Sequence, residues 1–308
     1  MTAIINGTST GGDSPKRQKV SNGEIPSAVS GFNGEGIIDN SQDLMYTEGS
    51  IPLLPRDAKV LLLDIEGCTT SISFVKDTLF PFVLESLDSY LDTLESNALT
   101  DLCNNLQKDM DALDSQHPSK VNYHPLDTQE MTITLTKENI RDLVQRMMKH
   151  DVKATGLKQM QGTMWKSGYT DGTLKGHVYD DFVPMLKWCR EHNVSVNIYS
   201  SGSIGAQKLL FGYSDQGDLC SYFDQHFDTT SGGKKEVESY RTISKALGVV
   251  DAKEVVFVSD AEAELVAARG AGIGFPVMSV RPGNAPLTST GREFPRVFSL
   301  LQLCGSGR

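Results

Sequence analysis

The stretch VLLLDIEGCTT (residues 60–70) decides how the chain folds. It completes an apolar run, AKVLLLD (58–64), with no polar alternation. Such a run predicts a strand covered on both faces, as in a parallel sheet. The character then reverses, with Asp64, one residue, Glu66 and Gly67. Carboxylates at the mouth of an apolar strand are costly to desolvate unless charge has work to do there.

Working outward, three further segments read as strands. VSVNIYSSGS (194–203) ends in hydroxyls and glycine, EVVFVSDAE (254–262) carries Ser259 and Asp260, and FPVMSVRPGN (275–284) runs into a turn after Arg281. Helical patterns lie between them. KKEVESYRTISKALG sets Val237, Tyr240, Ile243 and Leu247 on one face and stops at Gly248, a C-terminal cap. AEAELVAARGAG predicts a second helix ending at Gly270. Alternating strands and helices predict an α/β fold, a doubly wound parallel sheet with a Rossmann-like core.

About 130 residues separate the first predicted strand from the second, against ~30 for a simple βαβ unit. TKENIRDLVQRMMKH places Ile140, Leu143, Val144, Met147 and Met148 at helical spacing, a buried face. FVKDTLFPFVLESLDSYLDTL and LKQMQGTMWKSGY also read as helices. The expected organisation is an N-terminal extension (1–52) too polar to order itself, an α/β core (53–75 and 178–300), a helical cap inserted at 76–177, and a flexible C-terminus (301–308).

Of the 308 residues 39% are apolar and 22% charged, and the net charge is -10. That charge repels phosphate backbones and acidic membranes, so neither is an expected partner. The five cysteines show no metal-binding or disulfide spacing, which suits a reducing compartment. No apolar run is long enough for a membrane span, and the N-terminus lacks the pattern of a secretory signal. The expected location is the cytoplasm. PKRQKV (15–20) is a candidate nuclear-import signal.

Ligands of an open α/β sheet sit beyond the carboxyl ends of its strands, so the polar residues there converge. Asp64, Glu66 and Asp260 at one edge would repel one another unless a cation joined them, and hard oxygen donors suit Mg²⁺. Such a cation commonly recruits a phosphate. Ser200 and Ser201 can donate to phosphate oxygens, and Lys234 or Lys235 can add a positive charge. One carboxylate could then attack phosphorus while the other serves as acid and base.

The order DxEGxTT, a hydroxyl after the second strand, a lysine and a later acidic residue resembles the haloacid dehalogenase-like hydrolases. LLLDIEGCTTSISFVKDTLFPF, LKQMQGTMWKSGY, IYSSGSIGAQKLLFGYSDQGDL, HFDTTSGGKKEVESYRTI and SVRPGNAPLT resemble, within them, the enolase-phosphatase (acireductone synthase) family. The resemblance covers about residues 58–290, and Glu66 is a mark of that subfamily. It implies a Mg²⁺-dependent phosphoric monoester hydrolase of methionine salvage. Such an enzyme enolises 2,3-diketo-5-methylthiopentyl 1-phosphate and then removes the phosphate to give the acireductone.

The resemblance carries Asp64 over as nucleophile and metal ligand. Glu66 matches the acid/base position and also the metal site, where its backbone carbonyl would be the donor. Asp260 matches the remaining ligand of one Mg²⁺, Ser200 and Ser201 the phosphate site, and Lys234 the lysine motif. The alternative is a phosphatase of the same superfamily acting on another small ester. One chain folding its own cap suggests a monomer.

Two positions depart from the family pattern. Cys68 stands where threonine is usual, and the lysine region reads GKK, so Lys235 competes with Lys234. Counting back from ESY favours Lys234. Glu262 and Glu264 suit a first helical turn rather than a ligand set. Asp260 also suits a helix N-cap. Gln159, Gln161 and Trp165 could face substrate or pack the helix. Arg281 and Asn284 could organise the site's edge or form a turn.

Overall fold

The computed structural model describes residues 54–55, 58–120, 137–150 and 152–304. The predicted extension 1–52, with its PKRQKV segment, lies outside the described residues. The first predicted strand is β1 (Val60–Leu63), buried at every position. It leads into α1 (Ile72–Phe74), which continues through a π-helical stretch Val75–Leu79 into α2 (Phe80–Thr93). Next come α3 (Ser96–Ala112), α4 (Lys137–Lys149), α5 (Thr155–Thr170) and α6 (Phe182–Glu191). The chain then alternates through β2 (Ser195–Tyr199), α7 (Ile204–Gly212), β3 (Gln225–Phe227) and α8 (Val237–Ala246). It finishes with β4 (Val255–Ser259), α9 (Glu262–Gly270), β5 (Phe275–Ser279) and β6 (Arg296–Val297).

All pairings in the sheet are parallel, in the order β3-β2-β1-β4-β5-β6. The chain moves outward from β1 to β2 and β3, then returns to place β4 on the other side of β1. That reversal is the switch point where connections leave in opposite directions and a crevice opens beyond the strand ends. Asp64 follows β1 and Asp260 follows β4, so the two flank the crevice. β3 and β6 escape the sequence reading because they are short edge strands, three and two residues long, with no usable alternation.

Two apolar layers cover the sheet. Leu61, Leu63 and Val256 face one cluster with α6 and α7 residues, while Val60, Leu62 and Phe257 face another with α8 and α9 residues. A third cluster belongs to the helical segment between β1 and β2. Val83, Leu87 and Leu91 of α2 meet Leu106 of α3, and the predicted face Ile140, Leu143, Val144, Met147 and Met148 of α4 is buried there. Among the described residues no helix is long and apolar enough to cross a membrane. The sequence assigned 301–308 to a flexible C-terminus. Residues 301–303 instead belong to a 3₁₀ turn, Leu300–Leu303, capped by Ser299 and Gln302, which buries Leu300 and Leu303. Residues 305–308 lie outside the described residues.

Gly176 marks where the chain re-enters the α/β layers. Its N–H donates to Tyr213 O at 2.8 Å, and its carbonyl accepts from Asp215 N at 2.8 Å. A Cβ there would lie 2.0 Å from Leu210 O, a backbone atom that cannot swing aside. Gly176→Ala should therefore destabilise the protein by ~1–3 kcal/mol through forced displacement of the α7 terminus. Chemical denaturation of the two proteins checks this.

Candidate active site

The turn after β1 is built around one carbonyl. Ile65 O accepts from the N–H groups of Cys68, Thr69 and Thr70 at 3.2, 2.9 and 3.0 Å, and from Thr69 Oγ1 at 3.2 Å. Closing so tight a turn needs Gly67 in the left-handed region, at φ 68°. The chain returning from the helical segment holds the turn from outside. Tyr179 N donates to Thr69 O at 3.0 Å, and His177 Nδ1 accepts from Ser71 N at 3.3 Å. Asp64 is thereby presented at the end of β1, 5% exposed, with its N–H donating to Val258 O at 2.9 Å.

Lys234 reaches into this buried mouth. Its Nζ lies 2.6 Å from Asp64 Oδ1 and 2.7 Å from Glu264 Oε2. Burial alone would lower the Lys234 pKa, but the two carboxylates outweigh it and hold the ammonium above its ordinary value. Ser259 Oγ donates toward Glu264 Oε2 at 2.8 Å and lies 3.3 Å from Asp64 Oδ2. Lys235 is exposed, so Lys234 is the lysine that the structure brings to Asp64. Glu264 is the partner that sequence reasoning passed over as a first-turn charge.

Asp260 approaches from the other side of the switch point. Its Oδ2 lies 2.6 Å from where a Gly67 Cβ would be, so a residue larger than glycine would collide with it. It does not cap α9: the N-cap is Ala261, whose N–H is bound by Ser259 Oγ at 3.1 Å. Burial, then the charges of Asp64 and Glu264, push the Asp260 carboxyl up to about 7. Burial and Asp64 do the same to Glu264, also to about 7, against the opposing pull of Lys234.

Glu66 does not complete a carboxylate trio with Asp64 and Asp260. Among the described residues, no group of three or more His, Cys, Asp or Glu side chains is placed to hold a metal ion. Lys234 engages Asp64, and Glu66 lines a cavity beyond the strand ends. The mutual repulsion of Asp64 and Asp260 nevertheless marks a place that a hard divalent cation would stabilise. Two carboxylates and a main-chain oxygen would leave room for the waters such a cation keeps.

That cavity, of about 270 Å³, lies between the helical segment and the strand ends. Glu66 and Ser201 line it together with Lys76, Lys153 and Lys158; Ile72, Phe80, Leu157 and Trp165 supply apolar wall. Lys158 Nζ donates to Ser201 O at 3.1 Å, joining α5 to the loop after β2. Ser200 is buried below, its Oγ accepting from Gly202 N at 3.3 Å. Gln161 lines the cavity, whereas Gln159 is exposed away from it. Trp165 lines the cavity, and its Nε1 donates to Leu79 O at 3.1 Å, where the π-helical stretch passes into α2.

Arg281 organises the edge. Its Nη2 lies 2.8 Å from Asp181 Oδ2 and donates to Cys68 O at 3.4 Å, while its guanidinium sits 4.3 Å from the Tyr179 ring centre. Cys68 is fully buried and donates weakly to Val258 O at 3.7 Å. Burial and the nearby Asp64 charge push its thiol well up, so it packs as a small apolar group.

Two outcomes follow from these charges. With chelator present, Lys234→Met should destabilise the protein by ~3–5 kcal/mol near neutral pH, because Asp64 and Glu264 lose their shared counter-charge. Asp260→Asn should instead stabilise the metal-free protein at pH 8, by on the order of 2 kcal/mol, and by less at pH 5. The sign follows because a raised carboxyl pKa contributes stability at low pH that is lost as pH rises through about 7. Urea unfolding at the two pH values checks both.

The chain is similar to known proteins. The haloacid dehalogenase-like hydrolase family matches residues 58–272. An enolase-phosphatase E1 from Danio rerio is 41% identical over 261 residues, which cover 82% of this chain and 98% of that one. One from Xenopus tropicalis is 44% identical over 236 residues, covering 76% and 90%. Among solved structures, the UTR4 protein of Saccharomyces cerevisiae superposes with a TM-score of 0.61 at 35% identity, covering 79% of this chain and 98% of that one. The chain therefore belongs to the enolase-phosphatase family of haloacid dehalogenase-like hydrolases.

Proposed function

We propose that this enzyme is a bifunctional enolase-phosphatase of methionine salvage. It enolises 2,3-diketo-5-methylthiopentyl 1-phosphate and then dephosphorylates the product to acireductone. The observation that carries this reading is the cavity beyond the strand ends, with Glu66, Ser201 and three lysines set against an apolar wall. That pairing suits a small ester with an anionic end and an uncharged thioether tail. The family membership supports the same substrate.

Asp64 is the nucleophile. The Lys234 ammonium lies 2.6 Å from its carboxylate and restricts its rotation. Attack of an Asp64 oxygen on phosphorus forms an aspartyl-phosphate as the bond to the enol oxygen breaks. Glu66 protonates that leaving oxygen, then takes a proton from the water that cleaves the acyl phosphate. Ser200 and Ser201 orient the phosphoryl oxygens. Asp64, Asp260 and the main chain at Glu66 would hold one Mg²⁺, which supplies neutralising charge and polarises the diketone.

For enolisation, Glu66 is the carboxylate in the cavity able to accept a proton from carbon. The helical segment acts as a cap that excludes water from the acyl phosphate's formation and admits it for hydrolysis. The reading extends to a monomer in the cytoplasm, with PKRQKV as the candidate signal for nuclear entry; the net charge of -10 opposes nucleic-acid and acidic-membrane partners.

The test is an assay of the diketone phosphate with Mg²⁺, following acireductone by its ultraviolet absorbance and phosphate release in parallel. The wild-type chain should yield both products. Asp64→Asn should lower phosphate release by ~10⁴-fold or more while the circular dichroism spectrum is unchanged. Turnover of generic phosphate esters with none of the diketone would overturn the substrate assignment.

A further inference from the structure

Asn284 stands in the turn after β5, within reach of both the β1 turn and Asp260. Its Nδ2 donates to Gly67 O at 2.9 Å and to Ser279 O at 3.1 Å. Both amide hydrogens are thus engaged, and a flipped amide would press its oxygen against two carbonyls. The orientation of Oδ1 follows: it is buried and has no hydrogen-bond partner. It lies 2.7 Å from the point where a Gly67 Cβ would be, and Asp260 Oδ2 lies 2.6 Å from the same point. The two oxygens therefore border the same point beside Gly67, and Asn284 Oδ1 has no donor there. A buried acceptor left without a donor costs about 1–3 kcal/mol, and a ligand that brought one at this point would recover that cost.

We propose that Asn284 is a positioning residue for the cation site, presenting Oδ1 as an outer-shell acceptor for water carried by a hydrated divalent cation beside Asp260. This rests on the reading of Asp64 and Asp260 as ligands of Mg²⁺. The two bonds donated by Nδ2 fix the acceptor and tie it to the loop that bears Glu66. A partner of this kind orients the inner ligands and tunes affinity without touching substrate.

Mn²⁺ titration of the full chain without substrate, followed by electron paramagnetic resonance, tests this. Melting temperature in chelator is measured on the same samples. Wild type should bind Mn²⁺, and Asp260→Asn should bind it far more weakly. Asn284→Ala should weaken binding ~10–100-fold. Asn284→Asp gives up the donated bonds but keeps an oxygen beside Asp260. It should bind Mn²⁺ at least as tightly as wild type even though it melts lower in chelator. Wild-type affinity in Asn284→Ala would overturn the assignment of Asn284 alone. Equal loss of affinity in both variants, tracking their melting temperatures, would reduce Asn284 to a structural residue and also overturn it. A wild-type chain that binds no Mn²⁺ would overturn the cation reading itself.

Discussion

The structure depends on one buried ammonium. Lys234 lies between Asp64 and Glu264 where β1 and β4 end, in a place too dry to tolerate either carboxylate alone. Breaking such a group by removing one member leaves an uncompensated charge, so each member constrains the others. The consequence reaches through the fold. β1 must present Asp64, β4 must present Ser259, α9 must present Glu264, and the loop before α8 must deliver Lys234 to the same point. One ammonium against two carboxylates leaves a net negative charge, and Asp260 adds a further carboxylate. Burial, then the charges of Asp64 and Glu264, raise its pKa, and a divalent cation would relieve the excess.

The sheet topology explains why these residues can meet. The order reverses at β1 and β4, so the connections leave on opposite faces and the strand ends are uncovered there. The long helical segment enters at that opening. It is tied to the loop after β2 by Lys158 on Ser201 O, and it walls off a cavity above the strand ends. Most of its apolar residues form their own cluster, while Tyr169 of α5 and Phe82 of α2 pack with the cluster on the sheet.

Much of this was legible in local patterns. Uninterrupted apolar runs marked β1, β2, β4 and β5, and helical spacing marked the buried face of α4, because period and burial are tied at short range. Glu264 was not legible in the same way. An acidic residue in a first helical turn has an ordinary explanation, and only the inward rotation of α9 aims it at Lys234. Asp181 was missed for a similar reason, since its partner Arg281 lies 100 residues away. Cys68 looked anomalous inside a reactive turn; its complete burial makes it a packing residue.

The sequence by itself determined the fold class, the family and the set of polar residues at the strand ends. Those are written in contiguous motifs whose physics is local. The tertiary structure alone decided which charges meet: Lys234 rather than Lys235 at Asp64, Glu264 as its second partner, Glu66 turned into the cavity, and Asn284 beside Asp260. Side-chain contacts of this kind depend on how separate strands and helices are rotated and registered against one another. No short stretch of chain contains that information, because the energy that sets it comes from burying all of the elements together.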